Sequence, residues 1–175
     1  MNIKTIMSKF TIDPDHSEVG FKVKHLMIST VRGNFNEFSG TMEGELDDLN
    51  VTFILMTSSI NTNNDGRDEH LKSQDFFDSK IYPTIQFNAT NVNVNNKKII
   101  GDLTIKGITK EVTLDLEYNG SNVDPWGNEK HGFDVSGKIN RNDFGLVWNS
   151  VLEGGGVLVG ENVDLIINLQ LLKVN

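Results

Sequence analysis

The sequence predicts an all-β fold in which eight antiparallel strands close into a barrel, with a short helical insertion as its lid. Two observations lead to this prediction. Apolar and polar residues alternate with a period of two along most of the 175-residue chain, and a helical pattern is confined to one segment. Because each alternating strand has one apolar face, closing the sheet into a barrel buries all of these faces together.

The eight predicted strands follow one another along the chain. In the first, Val19, Phe21, Val23 and His25 share one face, whereas the third is apolar on both faces and should have a covered outer side. A turn at Asn95-Asn96 joins the fourth strand to the fifth. In chain order the predicted strands are 18–25, 38–46, 49–60, 85–94, 99–105, 112–118, 133–139 and 163–171.

The helical signal lies between the third and fourth strands. The turn residues from Asn63 to Gly66 precede a short predicted helix over 67–74, for which Asp65 is the candidate cap. Phe76-Phe77 would then fold the end of this segment inward. We therefore expect a lid or plug beside one mouth of the barrel.

The remaining segments predict loops and a single domain. Two long connections, 120–130 and 149–162, are predicted to be mobile loops at the rim of the barrel. No linker or internal repeat divides the chain, so we assign one domain to 8–175, preceded by a short extension, 1–7. The first ten residues lack the apolar stretch of an export signal, and we expect a cytoplasmic protein.

Composition excludes several classes of function. The chain has no cysteine, which excludes disulfides, thiol catalysis and cysteine-ligated metals. Its net charge of −8 opposes nonspecific binding to nucleic acid or to anionic membrane surfaces, so a polyanionic partner would need a local exception. No apolar run is long enough for stable insertion into a membrane.

Glycines on the predicted inner face suggest a cavity. Gly40, Gly44, Gly101 and Gly137 occupy positions where a filled barrel would need side-chain volume. An eight-stranded barrel either packs its interior or holds one small ligand, and these glycines favour the cavity. The alternative is that they relieve tight curvature at barrel corners.

The histidines and potential nucleophiles do not form the sequence pattern of a catalytic site or a metal site. The four histidines, His16, His25, His70 and His131, lack the spacing of metal ligands, and we expect them to form ordinary hydrogen bonds. The chain has no nucleophile elbow and no phosphate-binding loop, and the glycines at 154–156 predict a hairpin. We therefore expect no metal and no cofactor.

Arginine is rare, and each arginine stands beside a turn or lid signal. Arg32, Arg67 and Arg141 are the only three in the chain. Arginine suits positions that hold a planar carboxylate or phosphate. The alternative is that Arg67 or Arg141 pairs with a neighbouring aspartate to fix a loop.

An ordered set of motifs from about residue 10 to the C-terminus resembles the YceI-like family. The motifs are Asp13-Pro14-Asp15-His16-Ser17, Phe21-x-Val23-x-His25-Leu26-Met27, Val31-Arg32-Gly33-x-Phe35, Ser59-Ile60-x-Thr62, Arg67-Asp68-x-His70-Leu71, Asp75-Phe76-Phe77-Asp78, Tyr82-Pro83, Gly101-x-Leu103-Thr104-Ile105-x-Gly107 and Arg141-x-Asp143-Phe144-Gly145. The resemblance implies a lipocalin-like barrel with a helical insertion. It also implies that the barrel interior holds a long polyisoprenoid or a similar amphiphile.

The leading hypothesis is a non-catalytic protein that binds, sequesters or transports a long-chain isoprenoid or similar amphiphilic lipid. Its head group would lie near Arg67 and His70 of the lid, and His25 would be a polar contact within the apolar interior. The tail would contact the inward apolar residues Phe21, Val23, Phe38, Met42, Phe53, Phe87, Leu103, Leu114, Phe133, Val135, Leu165 and Ile167.

Two rival hypotheses stay open. One is an enzyme that acts on a lipid-like substrate with His25 or His70 as general base. The other is a stress-linked structural protein whose barrel is simply packed. From the leading hypothesis, the predicted partner is a hydrophobic small molecule, a polyisoprenoid or related amphiphile. We expect no nucleic-acid partner and no stable membrane insertion, and a homodimer is possible.

Overall fold

The fold of residues 7–174, which the computed structural model describes, consists of eleven strands and one α-helix. The strands are β1 (Lys9–Ile12), β2 (Glu18–His25), β3 (Ser29–Phe35), β4 (Phe38–Glu45), β5 (Asp48–Met56), β6 (Ile60–Asn61), β7 (Thr84–Val92), β8 (Lys98–Ile105), β9 (Ile108–Val123), β10 (Glu129–Asn140) and β11 (Val159–Val174), and α1 (Asp65–Lys72) lies between β6 and β7. Most of the predicted extension, 1–7, lies outside the described residues.

Eight of these strands close into an antiparallel barrel, which confirms the predicted fold class. The closed ring runs β1–β4–β5–β7–β8–β9–β10–β11, and β11 pairs back onto β1. The remaining three strands extend the sheet from β11 in the order β2–β3–β6. Closure of the ring thus buries the apolar face of each alternating strand inside the barrel.

The long strand β11 organises the first part of the chain. Its C-terminal end pairs with β1, and its N-terminal part, from Val159 to Asn168, pairs with β2. The 3₁₀ turn Pro14–His16 separates β1 from β2, so the two strands occupy the same edge of β11 in succession. The sequence did not predict β1, because a strand of four residues is too short to show a clear alternation of apolar and polar side chains.

The prediction of a turn around Val31, Arg32 and Gly33 was wrong, because these residues lie within β3. Gly33 pairs with Phe21 of β2. A Cβ atom at Gly33 would lie 2.5 Å from the Phe21 ring. The glycine therefore makes room for an inward aromatic ring and does not mark a turn. The predicted third strand also ends earlier than expected, since the 3₁₀ turn Thr57–Ser59 separates β5 from β6.

The predicted rim loop at 120–130 was also wrong. Strands β9 and β10 continue to Val123 and from Glu129, so only residues 124–128 form the turn. Asp124 stabilises this turn, because its Oδ1 accepts hydrogen bonds from the backbone N–H groups of Trp126 and Asn128, both at 2.9 Å. In contrast, most of 149–162 is a loop before β11, and Val151 and Val157 form the hairpin bridge around the glycines at 154–156.

The buried residues form two clusters at opposite ends of the barrel. We call the end that contains β1 and the 124–128 turn the closed end, where Phe10, Leu49 and Leu171 are buried. We call the other the lid end, where Phe35 and Phe144 pack with residues next to α1. Within residues 7–174, no helix is long and apolar enough to cross a membrane.

Candidate ligand-binding cavity

An elongated cavity of about 200 Å³ runs through the interior of the barrel. Along β11 its wall is formed by the inward residues from Val163 to Leu169, a distance of about 20 Å at the usual rise of a strand. Apart from Gly20 and Arg141, every residue of the wall has an aliphatic or aromatic side chain. This shape and lining suit an apolar chain better than a compact polar molecule.

Several inward residues toward the lid end are only partly buried. Phe21, Val23 and Leu165 all point inward, yet each stays partly exposed, because empty space lies beside it. At the closed end, by comparison, the buried residues Phe10 and Leu171 do not line the cavity, although Leu49 still does. The cavity therefore stops short of the last inward residues at the closed end.

The inward glycines do not create this space, which corrects the prediction. A Cβ at Gly101 would lie 2.6 Å from both Asn88 O and the Phe87 ring, and one at Gly137 would lie 2.6 Å from Leu114. Gly40 is similarly crowded, and Gly44 has a φ of +123°. These glycines permit close approach between strands, as the curvature alternative proposes.

Most of the predicted apolar contacts lie on the cavity wall. They are Phe21, Val23, Met42, Phe53, Phe87, Leu103, Leu114, Phe133, Val135, Leu165 and Ile167. The predicted residue Phe38 instead stacks on Phe53, with 6.1 Å between the ring centroids, and borders a groove on the outside of the barrel. His25 ends β2 beyond Val23 and is not part of the wall.

The lid consists of residues 65–77 and contributes Leu71, Phe76 and Phe77 to the cavity wall. Helix α1 begins after Asn64, whose Oδ1 accepts a hydrogen bond of 2.9 Å from the backbone N–H of Arg67. Asn64, and not the predicted Asp65, is therefore the cap. The predicted inward folding of Phe76-Phe77 is confirmed.

Arg67 braces the start of the lid and does not reach the cavity wall. Its Nε donates to Thr62 Oγ1 and its Nη2 donates to Thr62 O, both at 2.7 Å. The buried carboxylate of Asp68 accepts hydrogen bonds from the backbone N–H and the hydroxyl of the same threonine. Arg67 thus holds Thr62. The alternative expected from the sequence, a pair between Arg67 and a neighbouring aspartate, does not occur.

His70 joins the lid to the loop that follows β10. Its Nε2 donates to Asp75 Oδ2 at 2.8 Å, and its ring lies edge-on to Trp148, with 4.7 Å between the centroids. Phe76 packs against the same tryptophan at 5.4 Å. His70 itself does not line the cavity, so its visible role is to attach the lid to Trp148.

Arg141 is the charged residue that the structure places on the cavity wall. Its guanidinium is buried and donates to the backbone oxygens of Gly160 at 2.8 Å, Leu146 at 2.6 Å, Trp148 at 2.9 Å and Val159 at 3.2 Å. These bonds leave one N–H of Nη2 uncommitted. Burial lowers the pKa of Arg141, although an arginine stays protonated.

The charge of Arg141 has no carboxylate partner at contact distance within residues 7–174. The sequence singled out this arginine, with pairing to a neighbouring aspartate as the alternative to holding a carboxylate or phosphate, and the pairing does not occur. Two of its carbonyl partners, Leu146 and Trp148, belong to a loop without regular structure, and the other two, Val159 and Gly160, begin β11. The arrangement offers a hydrogen-bond donor and a positive charge at one point of an otherwise apolar wall.

His16 and His131 form hydrogen bonds away from the cavity. His131 is buried at the closed end between Tyr118 Oη, at 2.9 Å, and Glu129 Oε1, at 2.8 Å. The hydrogen bond from His131 lowers the pKa of Glu129. His16 donates to Asp13 at 3.0 Å. The expectation of hydrogen-bonded histidines is therefore confirmed for His16, His70 and His131, and no cluster of three potential metal ligands occurs among the described residues.

The protein is therefore a closed antiparallel β-barrel that has an apolar interior and a helical lid. The chain belongs to the YceI-like family, since residues 10–171 match the YceI-like domain. This confirms the resemblance carried by the motifs in the sequence.

Relatives and solved structures agree with this assignment. A UPF0312 protein of Staphylococcus aureus (strain bovine RF122 / ET3-1) is 46% identical over 161 residues, which cover 90% of this chain and 93% of that protein. The crystal structure of a Campylobacter jejuni YCEI protein is 35% identical and has a TM-score of 0.70, over 94% of this chain and 97% of that chain. A polyisoprenoid binding domain from Saccharophagus degradans shares the fold, with a TM-score of 0.68 at 12% identity, over 93% of this chain and 97% of that chain.

Proposed function

We propose that this protein binds an elongated amphiphilic lipid, such as an isoprenoid chain, inside the barrel without transforming it. The observation that carries the proposal is the apolar cavity wall, which extends over about 20 Å along β11 and includes one charged residue, Arg141. Each methylene group moved from water into such a cavity contributes about 0.8 kcal/mol. Burial of a chain therefore offsets the cost of immobilising it.

The shared fold supports an isoprenoid as the class of ligand. The Saccharophagus degradans domain, described as polyisoprenoid binding, has the same barrel. A linear chain fits a long, narrow cavity, and a preformed apolar site needs little rearrangement to accept it. The tail would lie along the inward face of β11, between Val163 and Leu169.

We assign the polar end of the ligand to Arg141 instead of Arg67 and His70. Arg141 lies on the wall and keeps one N–H of Nη2 uncommitted, whereas Arg67 and His70 use their side chains to hold Thr62 and Asp75. An oxygen of the ligand, in a carbonyl, a hydroxyl or a phosphate, is the acceptor that this N–H would satisfy. The charge of Arg141 further favours an anionic oxygen.

The positions of the histidines favour binding over catalysis. A general base must come within hydrogen-bond reach of the bound substrate. Neither His25 nor His70 contributes to the cavity wall, and His70 already contacts Asp75. The cavity likewise supports ligand binding over the role of a packed structural barrel.

Two variants on neighbouring residues of β11 provide the test. Leu165→Trp adds volume to the cavity, whereas Ile166→Trp adds it to the outer face of the same strand. The purified proteins are extracted with organic solvent, and bound lipids are identified by mass spectrometry. We expect an isoprenoid-like lipid in wild type and Ile166→Trp, with most of it lost from Leu165→Trp at unchanged melting temperature. An empty wild-type protein, or equal lipid in the two variants, would contradict the proposal.

A cytoplasmic location, a role in transport, a role in stress and a homodimer remain predictions of the sequence. Residues 1–6, on which the first depends, lie outside the described part of the chain. Cell fractionation tests the location, and sedimentation of the purified protein tests the homodimer.

A further inference from the structure

The turn between β2 and β3 exposes apolar side chains at the lid end of the barrel. We call Leu26, Met27 and Ile28 the hairpin tip. Met27 is 65% exposed and Ile28 is 83% exposed. Met27 lies against Gly156 of the neighbouring loop, and that loop adds Val151, which is 84% exposed. Single exposed apolar residues are common, but a contiguous group on one tip suggests a surface that is covered in function.

The conformation of the hairpin tip makes these residue types unusual. The N–H of Ile28 donates to His25 O at 3.2 Å, so Leu26 and Met27 are the two central residues of a tight turn. Their φ angles are +52° and +62°. Such turns favour asparagine and glycine, because other side chains are strained at positive φ. Leucine and methionine therefore oppose the local backbone preference without being buried by the fold.

The strands that carry the hairpin tip are the local exception to an acidic protein. From Val19 to Asn36 the chain contains Lys22, Lys24 and Arg32 but no aspartate or glutamate. Lys22 and Arg32 are cross-strand partners. Within residues 7–174, neither Lys24 nor Arg32 forms an ion pair. Exposed cations beside an apolar tip are complementary to an anionic lipid surface, although the adjoining loop and the start of β11 also carry Glu153 and Glu161.

The hairpin tip is also continuous with the cavity. Val23 lines the cavity three residues before Leu26, and Val159, the cross-strand partner of His25, lines it from β11. The backbone N–H of Leu26 donates to Leu158 O at 2.9 Å, which fastens the tip to the loop beside Arg141. A bilayer in contact with the tip would therefore meet this end of the cavity.

We propose that the hairpin tip docks the protein reversibly on an anionic lipid bilayer, so that the lipid ligand passes between bilayer and cavity at this end. The tip inserts its apolar side chains among the lipids while Lys24 and Arg32 contact the headgroups. The passage of ligand rests on the proposed function, whereas the docking itself is measured separately from ligand binding.

Single-site labelling measures the docking directly, because the chain has no cysteine of its own. Met27→Cys and Trp126→Cys are each labelled with an environment-sensitive fluorophore and mixed with vesicles of phosphatidylglycerol and phosphatidylcholine. Trp126 is the matched control, since it is 84% exposed but lies on the 124–128 turn at the closed end. We expect a blue shift for the label at 27 and none for the label at 126. Equal shifts, or no shift at 27, would overturn the proposal.

Vesicle flotation measures the contribution of each part of the surface. The double variant Met27→Ser/Ile28→Ser should bind the anionic vesicles at least about tenfold more weakly, while Trp126→Ser binds as wild type. Lys24→Gln/Arg32→Gln should lose about fivefold per charge on anionic vesicles and little on phosphatidylcholine alone. Equal binding by the tip variant and wild type would exclude the tip as the contact.

The outcomes separate this proposal from its rivals. If the label at 27 shifts without vesicles as the protein concentration rises, the tip contacts a second copy of the chain and the bilayer proposal fails. If wild type retains an extracted lipid but binds no vesicles, the proposed function stands and the docking fails. If it binds vesicles through the tip but never retains a lipid, the docking stands and the proposed function fails.

Discussion

The two ends of the barrel use the same alternating pattern to different effect. At the closed end, Phe10 and Leu171 are buried and pack against their neighbours without lining the cavity. At the lid end, Phe21 and Leu165 point inward but border the cavity. Inward apolar residues therefore stabilise the fold where they meet one another and form a binding surface where they do not.

The polar groups at the two ends differ in the same way. At the closed end, His131 is satisfied by two other side chains, and Lys130 donates to Asp13. At the lid end, Arg141 donates only to backbone oxygens. A charge that is paired with a carboxylate is compensated at contact distance, whereas the nearest acidic influence on Arg141 is the more distant Glu161.

The largest difference should appear when the same leucine is truncated at the two ends. Leu171→Ala removes packed atoms and leaves a new hole, so it should lower the free energy of unfolding by about 3–5 kcal/mol. Leu165→Ala enlarges an existing cavity and should cost less than half as much. Urea unfolding of both variants provides the measurement. Equal losses would mean that the interior is packed uniformly.

The two arginines near the lid end should differ by a smaller amount. Arg141→Met leaves buried backbone oxygens without donors and should destabilise the protein by about 3 kcal/mol. Arg67→Met removes two hydrogen bonds made by an exposed side chain to Thr62 and should cost about 1 kcal/mol. Thermal unfolding of the two variants measures both effects. A larger loss for Arg67→Met would contradict the central place we give to Arg141 in holding the loop before β11.

The smallest effect concerns the ion pair at the closed end. Lys130 donates to Asp13 at 2.8 Å, and this hydrogen bond, with that of His16, holds the pKa of Asp13 below its ordinary value of 3.8. A carboxylate with a lowered pKa stabilises the folded state above that value and ceases to do so as the pH falls below it. Asp13→Asn should therefore cost about 1 kcal/mol at pH 7.

The pH dependence of that variant distinguishes an ion pair from simple packing. The stabilities of wild type and Asp13→Asn should converge as the pH falls below about 4. Unfolding curves at pH 7 and at successively lower pH give the comparison. A difference that stays constant to the lowest pH would show that the carboxylate charge contributes nothing.

Alternation in the sequence predicted the class of fold and much of the cavity wall for a physical reason. A period of two determines which side chains point inward, as for Phe133 and Val135, wherever a strand is long enough to show it. Strand β3 was missed because Gly33 interrupts its pattern, and β1 because it is short. Phe35 was consequently absent from the predicted site, although it lines the cavity.

Other features depend on neighbours that are distant in the sequence. The crowding at Gly101 comes from Phe87 and Asn88 across the sheet, so the sequence alone did not distinguish a spacer from a void. The carbonyl partners of Arg141 extend to Gly160. Similarly, the hydrogen bonds from Arg67 to Thr62 form because the lid folds back on the end of β6. Each depends on tertiary contacts and not on local periodicity.

The most direct test of the account is to map where a bound chain touches β11. A photoreactive prenyl alcohol is bound to the wild-type protein and irradiated, and the labelled residues are identified by mass spectrometry. The account predicts an alternating pattern, with label on the inward residues Val163, Leu165 and Ile167 and none on the outward residues Asp164, Ile166 and Asn168. Label on the outward residues, or on the outer groove beside Phe38, would contradict binding inside the barrel.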